Sequence, residues 1–289
     1  MTVLGSARSS VYRFAENHFQ KFMSSKSFSF AMLSHPGRVR KGNEDMCAAN
    51  PDIGAFVVCD GMGGAAAGEI ASKMATEAFL ASLAPPEQDE DASPRTPTPD
   101  VRLDIAIREA NSSVFNHAVK NPQNRGMGTT LVALLLRPAH AGAATALTLG
   151  HVGDSRCYLF REGALQLLTA DHSLVEEQVR MGELTALEAA SHPMRNIITR
   201  AVGSQPAVEP EIRHLEPRLG DIYLLASDGL TRDLTDAELN QTFQRFLALE
   251  TARKRAAKPE LASLCQTLID QANDAGGGDN ITVLLLQLR

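Results

Sequence analysis

Four aspartates each stand where an apolar run meets glycine: Asp60 in FVVCDGMGG, Asp154 in HVGDSR, Asp228 in LLASDGL and Asp279 in GGGDNITVLLLQL. A carboxylate at the mouth of a strand, with no neighbouring side chain to block approach, offers hard oxygen ligands to a divalent cation. Because the four are widely scattered along the chain, they act together only if a whole domain gathers them. Asp-Gly and Gly-Asp are also ordinary turn chemistry, and each site taken alone fits a tight turn. Asp60 and Asp228 fit a turn poorly. Each ends an apolar run, AFVV and YLLAS, and each precedes a helix-like segment, AAAGEIASKMATEAFLASL and TDAELNQTFQRFLAL.

The elements that must position these acids can be followed along the sequence. SFAMLSHPGRVRKGNED and GAFVVCDG predict a strand pair, followed by an alanine-rich helix from about Ala65 to Leu83. Pro85 to Asp100 combines proline with acid and predicts a solvated loop inside the domain. Leu103, Ile107, Ala110, Val114 and Ala118 fall on one face of the next helix, which Asn121-Pro122 stops. GTTLVALLLRP, ALTLGHVGDSRCYLFR and ALQLLT are apolar runs without a crossover helix, so neighbours should be antiparallel, with Glu162-Gly163 a hairpin tip.

Ser173 with Glu176 and Thr185 with Glu188 form two capping boxes, and His192-Pro193 ends the second helix. GDIYLLASDG is a further strand, and Thr235 with Glu238 announces a helix from Leu234 to Leu249. Leu261, Leu264, Cys265, Leu268, Ile269 and Ala272 make one helical stripe ended by Gly276 to Gly278, and NITVLLLQL is a buried strand. Helices outside and antiparallel strands inside predict an α+β fold, a four-layer α/β/β/α sandwich of two sheets face to face covered by helices.

A single α/β alternation over 289 residues, 44% of them hydrophobic, favours one domain, assigned to 31–289. Residues 1–30 are rich in Ser and Phe and carry Arg8, Arg13, Lys21 and Lys26 against one acid, Glu16. That composition fits a transit peptide, a tail, or a short docking helix with Val11, Ala15, Phe19 and Phe22 near one face; the tail or docking helix is favoured. The net charge is -6 and the basic residues are dispersed apart from Arg253, Lys254 and Arg255, which argues against nucleic acid as a partner. Cys47, Cys59, Cys157 and Cys265 form no CxxC pair and read as buried thiols. With no spanning-length apolar run and no secretory signal, the expected location is cytoplasmic.

In their order, the segments RKGNED, DGMGG, GMGTT, GDSR, SDG and GGDN resemble the metal-dependent protein phosphatases of type 2C, the PPM family, over roughly Ser34 to Arg289. The compact form is more similar to the bacterial branch. The resemblance implies a serine/threonine phosphoprotein phosphatase in which water attacks phosphorus directly, without a phosphoenzyme. It implies that Asp60 bridges two Mn²⁺ or Mg²⁺ ions per subunit, that the Gly61 carbonyl contacts one of them, and that Asp228 and Asp279 complete the other. Glu44 and Asp45 are implied to lie close by, Asp154 with Asp228 to hold a third, weaker ion, and Asn280 to support the ligands. Arg40 is implied to grip the substrate phosphate, and its planar fork suits bidentate bonds to phosphate oxygens. Read without the resemblance, Arg40 is equally a member of a solvated basic cluster with Arg38 and Lys41.

The same resemblance implies phosphoserine and phosphothreonine proteins as partners, among them a Ser/Thr kinase, and a regulatory flap over 173–203. The chain is expected to act as a monomer. Some family members place histidine just after the bridging aspartate, where Met62 stands here; bacterial relatives often have it where Ala65 stands. That histidine protonates the leaving oxygen; His151 and His172 or a metal-bound water are the alternative proton donors, although a histidine beside a strand is more often structural. A cysteine phosphatase needs a thiolate five residues before an arginine, which is lacking, as is a GxxxxGK[ST] loop. Two rivals remain: a silent phosphoprotein-binding module on the same fold and a structural Ca²⁺-binding β protein. The full set of acids weakens the first, and DGMGG lacks the alternating oxygen side chains of an EF-hand loop.

Overall fold

The computed structural model describes residues 12–13, 23–24, 28–63, 67–84, 97–137, 145–190, 192–252 and 260–289. In chain order the strands begin with β1 (Tyr12–Arg13), β2 (Met23–Ser24), β3 (Phe28–His35), β4 (Asp45–Asn50) and β5 (Ala55–Met62). Helices α1 (Ala67–Leu83) and α2 (Pro99–Lys120) precede β6 (Gly128–Thr129), β7 (Leu131–Arg137), β8 (Ala146–Val152), β9 (Arg156–Arg161) and β10 (Ala164–Leu167). Then come α3 (Leu174–Arg180), α4 (Ala186–Ala190), β11 (Glu211–Leu215), β12 (Ile222–Ala226), α5 (Asp228–Asp233), α6 (Asp236–Ala252), α7 (Leu261–Ala275) and β13 (Ile281–Leu288).

One sheet runs β1-β4-β5-β7-β8-β11, with β6 on β5, and the other runs β10-β9-β12-β13-β3-β2. Every pairing among the described strands is antiparallel. The side-chain period of two explains why the central strands are apolar without interruption. In β5, Ala55, Val57 and Cys59 pack under α1 and α2, while Phe56 and Val58 face the other sheet. In β13, Val283 and Leu285 pack under α5, α6 and α7, while Leu284, Leu286 and Leu288 fill the layer between the sheets. Phe28 and Phe30 of β3 meet Phe56 edge to face, with centroids 5.8 and 5.4 Å apart, and so bridge the two sheets. The four layers are therefore α1/α2, sheet, sheet, and α5 to α7, as the apolar patterning predicts.

Several local expectations change. β3 and β5 lie in different sheets; the hairpin partner of β5 is β4, while β3 pairs with β13 and β2. The run ALTLGHVGDSRCYLFR is two strands, β8 in one sheet and β9 in the other, with the crossing at Gly153, Asp154 and Ser155. Phe28 and Phe30, within the stretch assigned to the tail, are buried between the two sheets. Residues 12–13 and 23–24 add short edge strands, and Val11, Ala15, Phe19 and Phe22 lie outside the described residues. Residues 85–96 of the acidic loop also lie outside them, and Asp100 belongs to α2, which starts on Pro99.

Candidate metal centre

β3, β4, β5, β8, β12 and β13 all present one end to the same rim of the sandwich, since Ile281 pairs with His35, Ala226 with Val283, and Asp45 with Asp60. The loops at that rim carry the acids. Asp60 stands inside β5 and, two residues on from Val58, on its inter-sheet face; Asp45 stands opposite it at the start of β4. Asp228 opens α5 directly after β12, Asp279 precedes β13, and Asp154 arrives with the crossing from one sheet to the other. Two like charges directly opposite in an antiparallel pair repel, so Asp45 against Asp60 is a costly arrangement unless a cation joins them.

Arg40, Glu44, Asp60, Gly61, Asp228, Asp279 and Asn280 all line one cavity of about 580 Å³. Asp45 and Asp154, only 8% and 7% exposed, lie outside this lining. Arg40 Nη2 donates to Asp279 Oδ2 at 2.8 Å, placing the guanidinium at the mouth. Asn280 ties the loop to the strand: its Oδ1 accepts from Glu44 N at 2.8 Å, and its Nδ2 donates to Pro36 O at 3.0 Å and Gly42 O at 2.8 Å. Gly61 has no space for a side chain, since a Cβ would lie 2.1 Å from Gly68 O. Gly153, at φ +103°, lets the crossing pass Thr130, whose Cγ2 lies 2.7 Å from where a Cβ would be.

Burial pushes the Asp45 carboxyl up to about 7, against hydrogen bonds from Thr282 and Ser227 that favour the charged form. Burial also lifts Asp154 to about 7, with repulsion from Asp228 adding to it. Asp60 is raised well above the carboxylate range by burial and then by Asp45; Glu44 and Asp228 are raised as well, first by burial. Glu44 Oε1, Asp45 Oδ1, Asp154 Oδ1 and Asp228 Oδ1 are buried with no hydrogen-bond partner. Orphaned, mutually repelling oxygens without nitrogen or sulfur among them match the donor set of Mg²⁺ or Mn²⁺.

Three residues with a part in the site carried no assignment from sequence. Thr130 Oγ1 accepts from Asp60 N at 2.9 Å and bonds Ser155 Oγ at 2.7 Å, locking β5 to the crossing. Ser227 Oγ donates to Asp45 Oδ2 at 2.7 Å. Arg232 pairs with Asp228 and donates to Asp279 Oδ2 at 2.7 Å. Arg232 stands four residues after Asp228 at a helix start, a spacing that could have flagged it.

No histidine among the described residues lines the cavity. His151 and His172 stack at 4.6 Å, and with Glu211 they form a group whose ligand atoms lie within 4.8 Å of one another. Their bonds are structural: His151 Nε2 meets Ala170 O at 2.9 Å, and His172 Nδ1 accepts from Gly153 N at 3.1 Å. Burial and then His151 depress His172 to about 3, so it stays neutral and braces the crossing. Met62 lines the cavity, and Ala65 lies outside the described residues. From the flap, Asn196 and Ile198 reach the cavity, and Leu174 N and Thr199 N bond Ile197 O and His172 O.

The sequence model for protein phosphatase 2C matches residues 38–265. The chain is 39% identical over 256 residues to serine/threonine protein phosphatase PstP of Mycobacterium tuberculosis, covering 89% of this chain but only 44% of that protein's length. It is 35% identical over 254 residues to serine/threonine phosphatase stp of Listeria innocua, covering 87% of this chain and 92% of the relative. A crystal structure of the catalytic domain of PstP in complex with two manganese ions superposes with a TM-score of 0.72 at 35% identity, covering 91% of this chain and 98% of that one. On the match across most of its length and on these relatives, the chain belongs to the protein phosphatase 2C family.

Proposed function

We propose that the chain is a Mn²⁺- or Mg²⁺-dependent phosphatase acting on phosphoserine and phosphothreonine in proteins. The observation that carries this reading is the gathering of acids from distant parts of the chain at one rim, four of them with an orphaned buried oxygen. Asp60 would serve both ions, the Gly61 carbonyl would contact one of them, Asp228 and Asp279 would complete the other, and Glu44 and Asp45 would stand by. Asp154 and Asp228 are the pair to which the resemblance to the bacterial branch assigns a third, weaker ion. Bound divalent ions supply a water of lowered pKa and offset charge on the phosphoryl oxygens.

Arg40, half exposed at the mouth, forks onto two phosphate oxygens and turns the phosphorus toward the acids. Asn280 keeps the Arg40 loop on β13. The cysteines support the absence of a phosphoenzyme: all four are buried, and burial pushes Cys59 up to about 12 and the others higher still. With neither thiolate nor imidazole at the cavity among the described residues, and with its carboxylates given to the ions, water is the attacking group. Residues 31–289 are the catalytic domain, and the flap over 173–203 meets the incoming phosphoprotein through Asn196 and Ile198. An opposing Ser/Thr kinase is among the substrates, and the enzyme works as a monomer. No helix among the described residues is long and apolar enough to cross a membrane, and the free thiols fit a cytoplasmic setting.

Phosphate release from a phosphothreonine peptide tests this reading. Turnover is expected with Mn²⁺ and none with EDTA. An unchanged rate in EDTA would overturn it, and a silent module would bind the peptide and release nothing.

A further inference from the structure

We infer that Arg232 is a tethered cation that serves the Asp154–Asp228 side of the centre in place of a third divalent ion. The inference rests on the metal-centre reading above and concerns how many ions the centre takes. Asp154 and Asp228 are 7% and 9% exposed, and each has an oxygen with no hydrogen-bond partner. Two such carboxylates at close quarters are held together by positive charge. Arg232 supplies it from four residues along α5, pairing with Asp228 through Nη2 and with Asp279 through Nη1, and its field reaches Asp154 and Asp60.

The backbone carrying Arg232 is fixed on both sides. Gly229 packs so closely on Asn280 that a Cβ there would lie 2.0 Å from Asn280 O. Asp233 Oδ2 accepts from Gly277 N at 3.0 Å, holding the end of α5 against the turn that leads to Asp279. Leu230 on this short helix and Leu234 just after it are both buried. The Arg232 side chain, one third exposed, is therefore delivered to this spot by packing that does not depend on its own ion pairs. A guanidinium carries one charge and cannot activate water, but paired with Asp228 it lowers the negative potential that a further ion needs.

Bound Mn²⁺ after equilibrium dialysis at neutral pH, counted per chain by atomic emission, tests the inference without an activity assay. Wild type should hold two ions and Asp154→Asn should still hold two. Arg232→Asp should hold three, returning to two when combined with Asp154→Asn. Arg232→Ala, which only removes the charge, should shift the count in the same direction and serves if circular dichroism shows Arg232→Asp unfolded. A wild type that holds three ions and loses one in Asp154→Asn would overturn the inference and leave the metal centre standing. Two ions in both Arg232 variants would overturn it equally. A wild type that binds none would sink the metal centre, and this inference with it.

Discussion

Arg40 shows what a single residue can and cannot reveal. Its type suits phosphate, yet in sequence it is indistinguishable from its neighbours Arg38 and Lys41. In the fold, Arg38 turns away to Asp274 while Arg40 lines the cavity beside Asp279. A charge-assisted bond contributes about 1.5–3 kcal/mol, so Arg40→Ala should lower kcat/KM on a phosphopeptide by roughly 10- to 100-fold with the melting curve unchanged. A change within twofold would make Arg40 only a surface partner of Asp279. The aspartates were legible because each interrupts an apolar run, where an acid is expensive without a purpose. Thr130 and Ser227 were not, because their roles depend on which strand ends meet, and Arg232 showed only in its spacing of four from Asp228.

Among the elements, helices announced themselves best. The boxes at Thr185 and Thr235 form as their spacing predicts, with Thr185 N and Thr235 N donating to Glu188 Oε2 and Glu238 Oε2, both at 2.8 Å, while at Ser173 the hydroxyl accepts from Glu176 N at 3.4 Å. Short strands did not. β4 reads as DMCAAN, with little β-branching, and β11 is held only along the edge of β8. The loop between β3 and β4 owes its shape to Asn280, whose replacement by alanine would leave Glu44 N and the carbonyls of Pro36 and Gly42 without their partner. Asn280→Ala should cost about 1–3 kcal/mol, lowering Tm by several degrees, and should weaken Mn²⁺ binding in a titration. Unaltered Tm and Mn²⁺ affinity would contradict that role.

At the scale of the whole molecule, the layer order was legible, since uninterrupted apolar strands must be covered on both faces. The assignment of strands to sheets was not, because a crossing such as Gly153–Ser155 resembles any other turn. The rim this crossing helps build holds carboxyls whose protonated forms the fold favours. Asp45 and Asp154 titrate near 7 when folded and near 4 when unfolded, so between those values the native state binds more protons and stability falls as pH rises. In EDTA, Tm should drop by roughly 5 °C or more from pH 5 to pH 8, and Mn²⁺ should restore more stability at pH 8 than at pH 5, where the ligands are still protonated. A Tm in EDTA that is flat or rises over this range would contradict the clustering of these acids.

The most direct measurement follows Mn²⁺ bound and phosphate released from a phosphothreonine peptide in one titration, for wild type and Asp60→Asn. Phosphate release in wild type should rise in step with metal occupancy, while Asp60→Asn, folded by circular dichroism, should bind poorly and release none. Hydrolysis at an undiminished rate in Asp60→Asn, or in wild type stripped of metal, would contradict the account.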